Sequence, residues 1–147
     1  MVRRMEASDL DFVMQIWLET NKKAHSFIPQ EYWKKNFASV KEMIREAQVY
    51  VYEAESSGTI KGFMGLTDNY IAGIFVCGPA QSNGIGKQLL CHAKSQKNSL
   101  SLHVYRKNER AVLFYQREGF LCRDERTDLE TGEAELLMEW ERNGKVS

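Results

Sequence analysis

The first chemistry in this chain sits at Gln81, Gly84 and Gly86, with Lys87 directly after them. A Gln-x-x-Gly-x-Gly spacing at the mouth of a helix leaves several backbone N–H groups unpaired, and the helix dipole adds partial positive charge there. Glycine lets a phosphate come close without a Cβ in the way. The chemistry this suggests is the cradling of a diphosphate; a plain helix start with two flexible positions is the other reading the stretch permits. A nucleoside-triphosphate loop would need glycine at 81 and a hydroxyl at 88, where Gln81 and Gln88 stand. A dinucleotide fingerprint would need a third glycine where Leu89 stands. Residues 69–86 carry no charge in a chain that is 27% Asp, Glu, Lys and Arg, so no carboxylate here would repel a phosphate.

A second constellation follows. Asn108 and Tyr115 are seven residues apart, which on a helix puts them on one side, separated by roughly 10 Å along the axis. Such a pair suits contact with an extended ligand at two places; it equally suits a capping Asn and a core aromatic. Two histidines invite attention as well. His103 alternates with Ser101 and Tyr105, and His25 precedes Ser26-Phe27-Ile28 beside Tyr32 and Trp33. A neutral imidazole can take a proton from an ammonium near neutral pH.

The elements that would position these residues follow from periodicity. Residues 2–5 read as a short strand. Ser8 with Asp11 suggests a capping box opening a helix that carries Leu10, Val13, Ile16 and Trp17. Pro29 suits a first helical turn, and Trp33, Phe37, Val40 and Ile44 then recur at steps of four, three and four. Residues 48–54 and 60–66 read as a hairpin across Ser56-Ser57-Gly58. Residues 70–77 read as a buried central strand ended by Gly78 and Pro79. Ile85, Leu89 and Ala93 carry the helix behind the glycines. Residues 100–105 alternate as a strand, with Leu100, Leu102 and Val104 on its other face. Asn108 and Gly119 bound the next helix as N-cap and C-cap. Residues 120–123 and 134–140 are the last strands, and 143–147 a frayed tail. The expectation is one mixed α/β domain over residues 1–142, with about seven strands and about four helices.

Composition narrows the partners. Lys plus Arg and Asp plus Glu are 20 each, so no whole-molecule field favours nucleic acid or an anionic membrane. Cys77, Cys91 and Cys122 lack metal-ligand spacing and read as reduced thiols, so no metal site and a cytoplasmic setting are expected. The N-terminus has no apolar signal region and no run approaches a membrane span.

The strand IAGIFV, the loop QSNGIG, the strand LSLHVY and the helix NERAVLFYQREGF come in an order and spacing that resembles the GNAT superfamily of acetyl-CoA-dependent N-acyltransferases. The resemblance covers nearly the whole chain. The N-terminal half, with IWLET, HSFIPQEYWKK and GFMGL, is most similar to small bacterial members. It implies a central mixed, mostly antiparallel sheet, acetyl-CoA as co-substrate and a primary amine as acceptor: a protein lysine, a protein N-terminus or a small amine. It implies that the backbone of Ile74, Phe75 and Val76 holds the pantetheine arm. It implies that Gln81, Ser82, Asn83, Gly84, Ile85 and Gly86, with Lys87, wrap the pyrophosphate. The Asn matching Asn108 contacts the pantetheine region, and the Tyr matching Tyr115 protonates the departing thiolate. A phenol with pKa about 10 stays protonated at neutral pH and can serve a thiol of pKa about 8.5 in that way.

The chain departs from that pattern in places. His103 stands where several members carry a Glu base, which makes His103 the candidate base. Ser82 and Asn83 stand where Arg and Gly are usual. His25 lies in the region that borders the acceptor site and is the candidate substrate-binding residue. The resemblance implies direct attack by the neutral amine in a cleft between the strands at 74–76 and 100–105, with a backbone N–H near Val76 stabilising the oxyanion. A non-catalytic acyl-CoA-binding or protein-interaction module is the rival reading, and the chain would act as a monomer or a homodimer.

Overall fold

The computed structural model describes residues 1–81 and 83–143, with the backbone alone of Pro79; the expected tail therefore lies outside the described residues beyond Asn143. Strands β1 (Val2–Arg4), β2 (Gln48–Glu53), β3 (Ile60–Thr67), β4 (Tyr70–Val76), β5 (Ser99–Tyr105), β6 (Leu121–Thr127) and β7 (Ala134–Glu141) form one seven-stranded sheet in the order β1-β2-β3-β4-β5-β7-β6. Every neighbouring pair is antiparallel except β4 and β5. Helices α1 (Leu10–Ala24), α2 (Gln30–Glu46), α3 (Ile85–Gln96) and α4 (Glu109–Arg117) complete the mixed α/β fold.

The alternation of β2 divides the core. Val49 and Val51 point into one cluster with Val13, Trp17, Trp33 and Ile44 of α1 and α2. Tyr50 points into the other, with Leu89 and Ala93 of α3 and with Tyr115 and Phe120. Apolar side chains that leave water on both faces hold the three layers together. The edge-to-face packing of Trp17 on Trp33, with centroids 5.8 Å apart, fixes α1 against α2.

Three local expectations are corrected. The helix at the N-terminus is not opened by Ser8 and Asp11: Glu6 and Asp9 make the reciprocal cap of a 3-10 turn, and α1 continues from it. Asp9 is recruited because Arg3 reaches it at 2.8 Å, a long-range pairing that local pattern cannot display. The sixth strand runs to Thr127 and not to residue 123, because its charged residues pair with β7 at the sheet edge, Arg126 bonding Glu135 at 3.0 Å. And β4, central in the sheet as expected, is not buried: Ile71 alone on it is buried, Ala72 is exposed and the rest are half-buried.

The reason lies in the pairing. Strands β4 and β5 pair only at Tyr70 with Ser101 and Ile71 with Leu102. Just beyond, the β3–β4 register slips, Gly65 facing Gly73 and Leu66 facing Ile71, so Ala72 is an extra residue on β4. A bulge bends its strand and sharpens the local twist. Strand β4 therefore leaves β5 after Ile71 and opens a gap in the middle of the sheet.

Candidate active site

Beyond the point where it leaves β5, strand β4 lines a cavity of about 770 Å³. Its walls come from the end of β4, the start of α3, the end of α1 and one face of α4 along its length. Opposite the end of β4 stand α4 and the residues just before it; no β5 residue is among the lining, and Leu100, Leu102 and Val104 of β5 are buried in the core.

Of the residues singled out in the sequence, Ile74, Phe75, Val76, Gln81, Gly84, Ile85, Gly86, Lys87, Asn108, Tyr115 and His25 all line this cavity. Asn83 is exposed and outside the lining, and Ser82 lies outside the described residues. His103 also stands apart from the cavity, its Nδ1 2.8 Å from the Tyr70 hydroxyl. Burial and Arg126 lower the His103 pKa, with Glu135 opposing them.

Chain direction explains the β4 surface. The Cys77 N–H bonds the Lys61 carbonyl of β3, and strand alternation then turns the N–H and C=O groups of Ile74 and Val76 the other way, into the gap. The Gln81 amide ties this end down: its Nε2 donates to the Val76 carbonyl at 3.0 Å, and its Oε1 accepts from Arg110 of α4 at 2.7 Å. One side chain so joins the floor to the far wall, and Arg110, which sequence reasoning passed over, is the other half of that link.

The start of α3 carries the electrostatics. Gly84 caps it at φ +79°, a left-handed conformation costly for any residue with a Cβ, and supplies no side-chain cap. The Gln88 N–H bonds the Gly84 carbonyl, so the N–H groups of Ile85, Gly86 and Lys87 precede the helical ladder and face no intrahelical partner. A Cβ on Gly84 would meet nothing within 4 Å, which leaves the approach to these donors open. Donors without a partner among the described residues, the dipole and the Lys87 ammonium together suit a phosphate-bearing group.

On α4, the Asn108 side chain accepts the Ala111 N–H at 3.4 Å as an N-cap. Tyr115 is 7% exposed, wedged between Phe114 and Phe120 at centroid distances of 5.2 and 5.6 Å. Burial raises its pKa well above the ordinary phenol value, so the proton stays on the oxygen. No hydrogen bond to the Tyr115 hydroxyl is found among the described residues, and the side chain meets the cavity.

His25 does not sit in an open loop: it caps the end of α1, half-buried and enclosed by rings. Trp33 stacks on it at 5.4 Å, and Phe27 and Tyr105 meet it edge-on at 5.7 and 5.1 Å. Burial lowers its pKa to about 4. Both ring nitrogens have partners, Asn21 at 3.0 Å and Asn108 at 3.2 Å. Asn21, 3% exposed and also on the cavity, was missed; its spacing of four from His25 on one helix was the available signal.

Among the described residues, no group of three or more His, Cys, Asp or Glu is placed to hold a metal ion. No helix among them is long and apolar enough to cross a membrane.

A family model described as an acetyltransferase (GNAT) domain matches residues 18–141. The chain is 32% identical to the peptidyl-lysine N-acetyltransferase YiaC of Escherichia coli (strain K12), over 95% of this chain and 96% of that relative. It is 29% identical to the peptidyl-lysine N-acetyltransferase YjaB of the same organism, over 81% of this chain and 80% of that relative. The solution structure of apo-form YjaB from Escherichia coli matches with a TM-score of 0.85 at 26% identity, covering 95% of this chain and 96% of that one.

Proposed function

The chain belongs to the GNAT family of acetyltransferases, enzymes that move an acetyl group from acetyl-CoA to an amine, and on that premise we propose that it acetylates the side-chain amine of lysine in peptides and proteins. Its likeness to YiaC over nearly the full length of both chains favours lysine over a small amine as acceptor. The observation that carries the catalytic reading is that the start of α3, whose cap Gly84 has no side chain to offer it, and Tyr115 line one cavity.

Acetyl-CoA supplies the thioester whose acyl group moves. The N–H groups of Ile85, Gly86 and Lys87 hold its diphosphate, with the Lys87 ammonium adding charge. The backbone of Ile74 and the N–H of Val76 bind the amide-bearing arm, while Phe75 contributes its ring to the wall. Asn108 contacts that arm from α4. The neutral amine attacks directly, and Tyr115 hands its proton to the sulfur as the thiolate departs. This route needs neither a cysteine nucleophile nor a metal ion. Cys77, half-buried, has its pKa raised by burial, which disfavours the thiolate a ping-pong route would require. His25 is too weak a base for the ammonium proton. That proton goes through water to His103: with the His103 Nδ1–H donating to the Tyr70 oxygen 2.8 Å away, the Nε2 lone pair is the one that accepts it.

The test is a competition among acceptors. The protein is incubated with acetyl-CoA and three amines: a lysine peptide with a blocked N-terminus, a lysine-free peptide with a free N-terminus, and spermidine. Mass spectrometry should find the acetyl group on the lysine side chain. Acetylation of only the free N-terminus or only spermidine would overturn the lysine assignment.

A further inference from the structure

His25 at the end of α1 and Asn108 at the start of α4 both line the cavity, and they meet at 3.2 Å. The direction of that bond is set from the far end. The Asn21 Nδ2 donates to the Trp17 carbonyl at 2.9 Å, which turns the Asn21 Oδ1 toward His25. An amide oxygen only accepts, so the His25 Nδ1, 3.0 Å away, must carry the ring proton. In a neutral ring Nε2 is then the acceptor, and the Asn108 Nδ2 is its donor. The Asn108 Oδ1 is thereby left for the Ala111 N–H, the bond that caps α4. From the α1 backbone to the α4 backbone, each donor and acceptor is dictated by the one before it.

Nothing in this relay tolerates a second proton on the ring. A proton on Nε2 would set an N–H against the Asn108 NH₂, and turning that amide over would set its NH₂ against the Ala111 N–H and cost the cap. The surroundings keep the ring neutral. Its neighbours are Asn21 from α1, Phe27 from the connection, Trp33 from α2, Tyr105 from β5 and Asn108 from α4. The charged and titratable groups at this edge have other partners: the Tyr105 hydroxyl donates to Asp128 at 2.6 Å, and Lys107, 5.5 Å over the Phe27 ring, pairs with Glu133 at 3.0 Å.

We propose that His25 is a positioning residue for acetyl transfer: its neutral, Nδ1-protonated ring fixes the Asn108 amide, and through it the first turn of the helix that brings Asn108 and Tyr115 to the cavity. This assigns His25 to the co-substrate side of the reaction in place of contact with the acceptor, and it rests on the reading of the cavity as the acetyl-CoA site. The aromatic box alone would ask only for a flat ring; the relay asks for a ring with one donor and one acceptor on separate edges. Histidine meets both demands.

Two measurements test it. Nitrogen NMR of the wild-type protein should find the His25 Nδ1 protonated and Nε2 bare, with no titration above pH 5; the opposite tautomer, or an ordinary titration near 6.5, would overturn the relay. Kinetics on His25→Phe, which keeps the stacking, should give a fall of about tenfold or more in kcat/KM for acetyl-CoA with the acceptor KM unchanged. His25→Gln, which keeps a donor and an acceptor, should recover part of the loss. In an Asn108→Ala background, His25→Phe should cost almost nothing further. A raised acceptor KM with unchanged acetyl-CoA kinetics, or full additivity with Asn108→Ala, would overturn the inference and leave the enzyme reading intact. A wild-type protein that transfers no acetyl group to any amine would overturn that reading and the inference with it.

Discussion

Asn108 and Tyr115 lie about two turns apart on one side of α4, and both line the cavity that takes in the start of α3. One short helix thus presents an amide and a protonated phenol to the same space. Tyr115→Phe should lower kcat roughly 10²-fold while leaving acetyl-CoA affinity nearly unchanged. The ring keeps its packing on Phe114 and Phe120, so the fold should survive. Steady-state kinetics beside calorimetric binding reads the split; an unchanged kcat would remove Tyr115 as the acid. A pH effect follows. Burial raises the Tyr115 pKa, so the folded state holds a proton that the unfolded chain loses near pH 10. That stability is whole below about pH 10 and declines above it, and Tyr115→Phe should flatten the decline in alkaline denaturant titrations.

The Gln81 amide links the Val76 carbonyl to Arg110. Gln81→Glu keeps an acceptor for the guanidinium but loses the donor to Val76 and sets a carboxylate beside the proposed phosphate site. Affinity for acetyl-CoA should fall about tenfold, roughly 1.4 kcal/mol, with Gln81→Ala falling less. Equal affinities for wild type and Gln81→Glu in a binding titration would detach Gln81 from the site.

The buried neutral His25 makes a prediction about acid. Its pKa is lowered to about 4 by burial, against an ordinary 6.5, so between those values the unfolded chain binds the extra proton and the folded one does not. Stability is therefore full above about pH 6.5 and falls as the pH drops toward 4, by at most about 3 kcal/mol from this group. His103, also lowered, adds to the fall with the same sign. Urea midpoints at pH 7, 5.5 and 4.5 should decline in wild type and less steeply in His25→Phe. Parallel slopes would mean that the ring is not held neutral.

His103 lies off the cavity, its Nδ1 2.8 Å from the Tyr70 hydroxyl, and no partner of its Nε2 is found among the described residues. If it receives the amine proton through water, His103→Gln should lower kcat about tenfold at pH 7 without changing the KM for acetyl-CoA. Wild-type turnover in this variant would take it out of the proton path.

Much of this architecture was legible because it is local. The period of two at residues 100–105, the steps of four and three from Trp33 to Ile44, and the glycines before Ile85 each mark an element that formed where expected. The two poles of the cavity, Gly84 and Tyr115, were legible for the same reason. What escaped depends on partners distant in sequence. Asp9 caps the first turn because Arg3 holds it, and β6 lengthens because β7 pairs with it. The exposure of β4 comes from a bulge at Ala72 that no periodicity announces. The bond of His25 to Asn108 escaped because that partner lies 83 positions along the chain.

The central claim is that the open start of α3 is a cradle for acetyl-CoA. Calorimetric titration with acetyl-CoA, with ATP and NAD as controls and Gly84→Val beside wild type, tests it most directly. The account predicts saturable, selective binding of acetyl-CoA by wild type and binding at least about tenfold weaker in the variant, whose Cβ strains the left-handed cap that presents the donors. Binding of all three ligands alike, or wild-type affinity in a folded Gly84→Val protein, would contradict it.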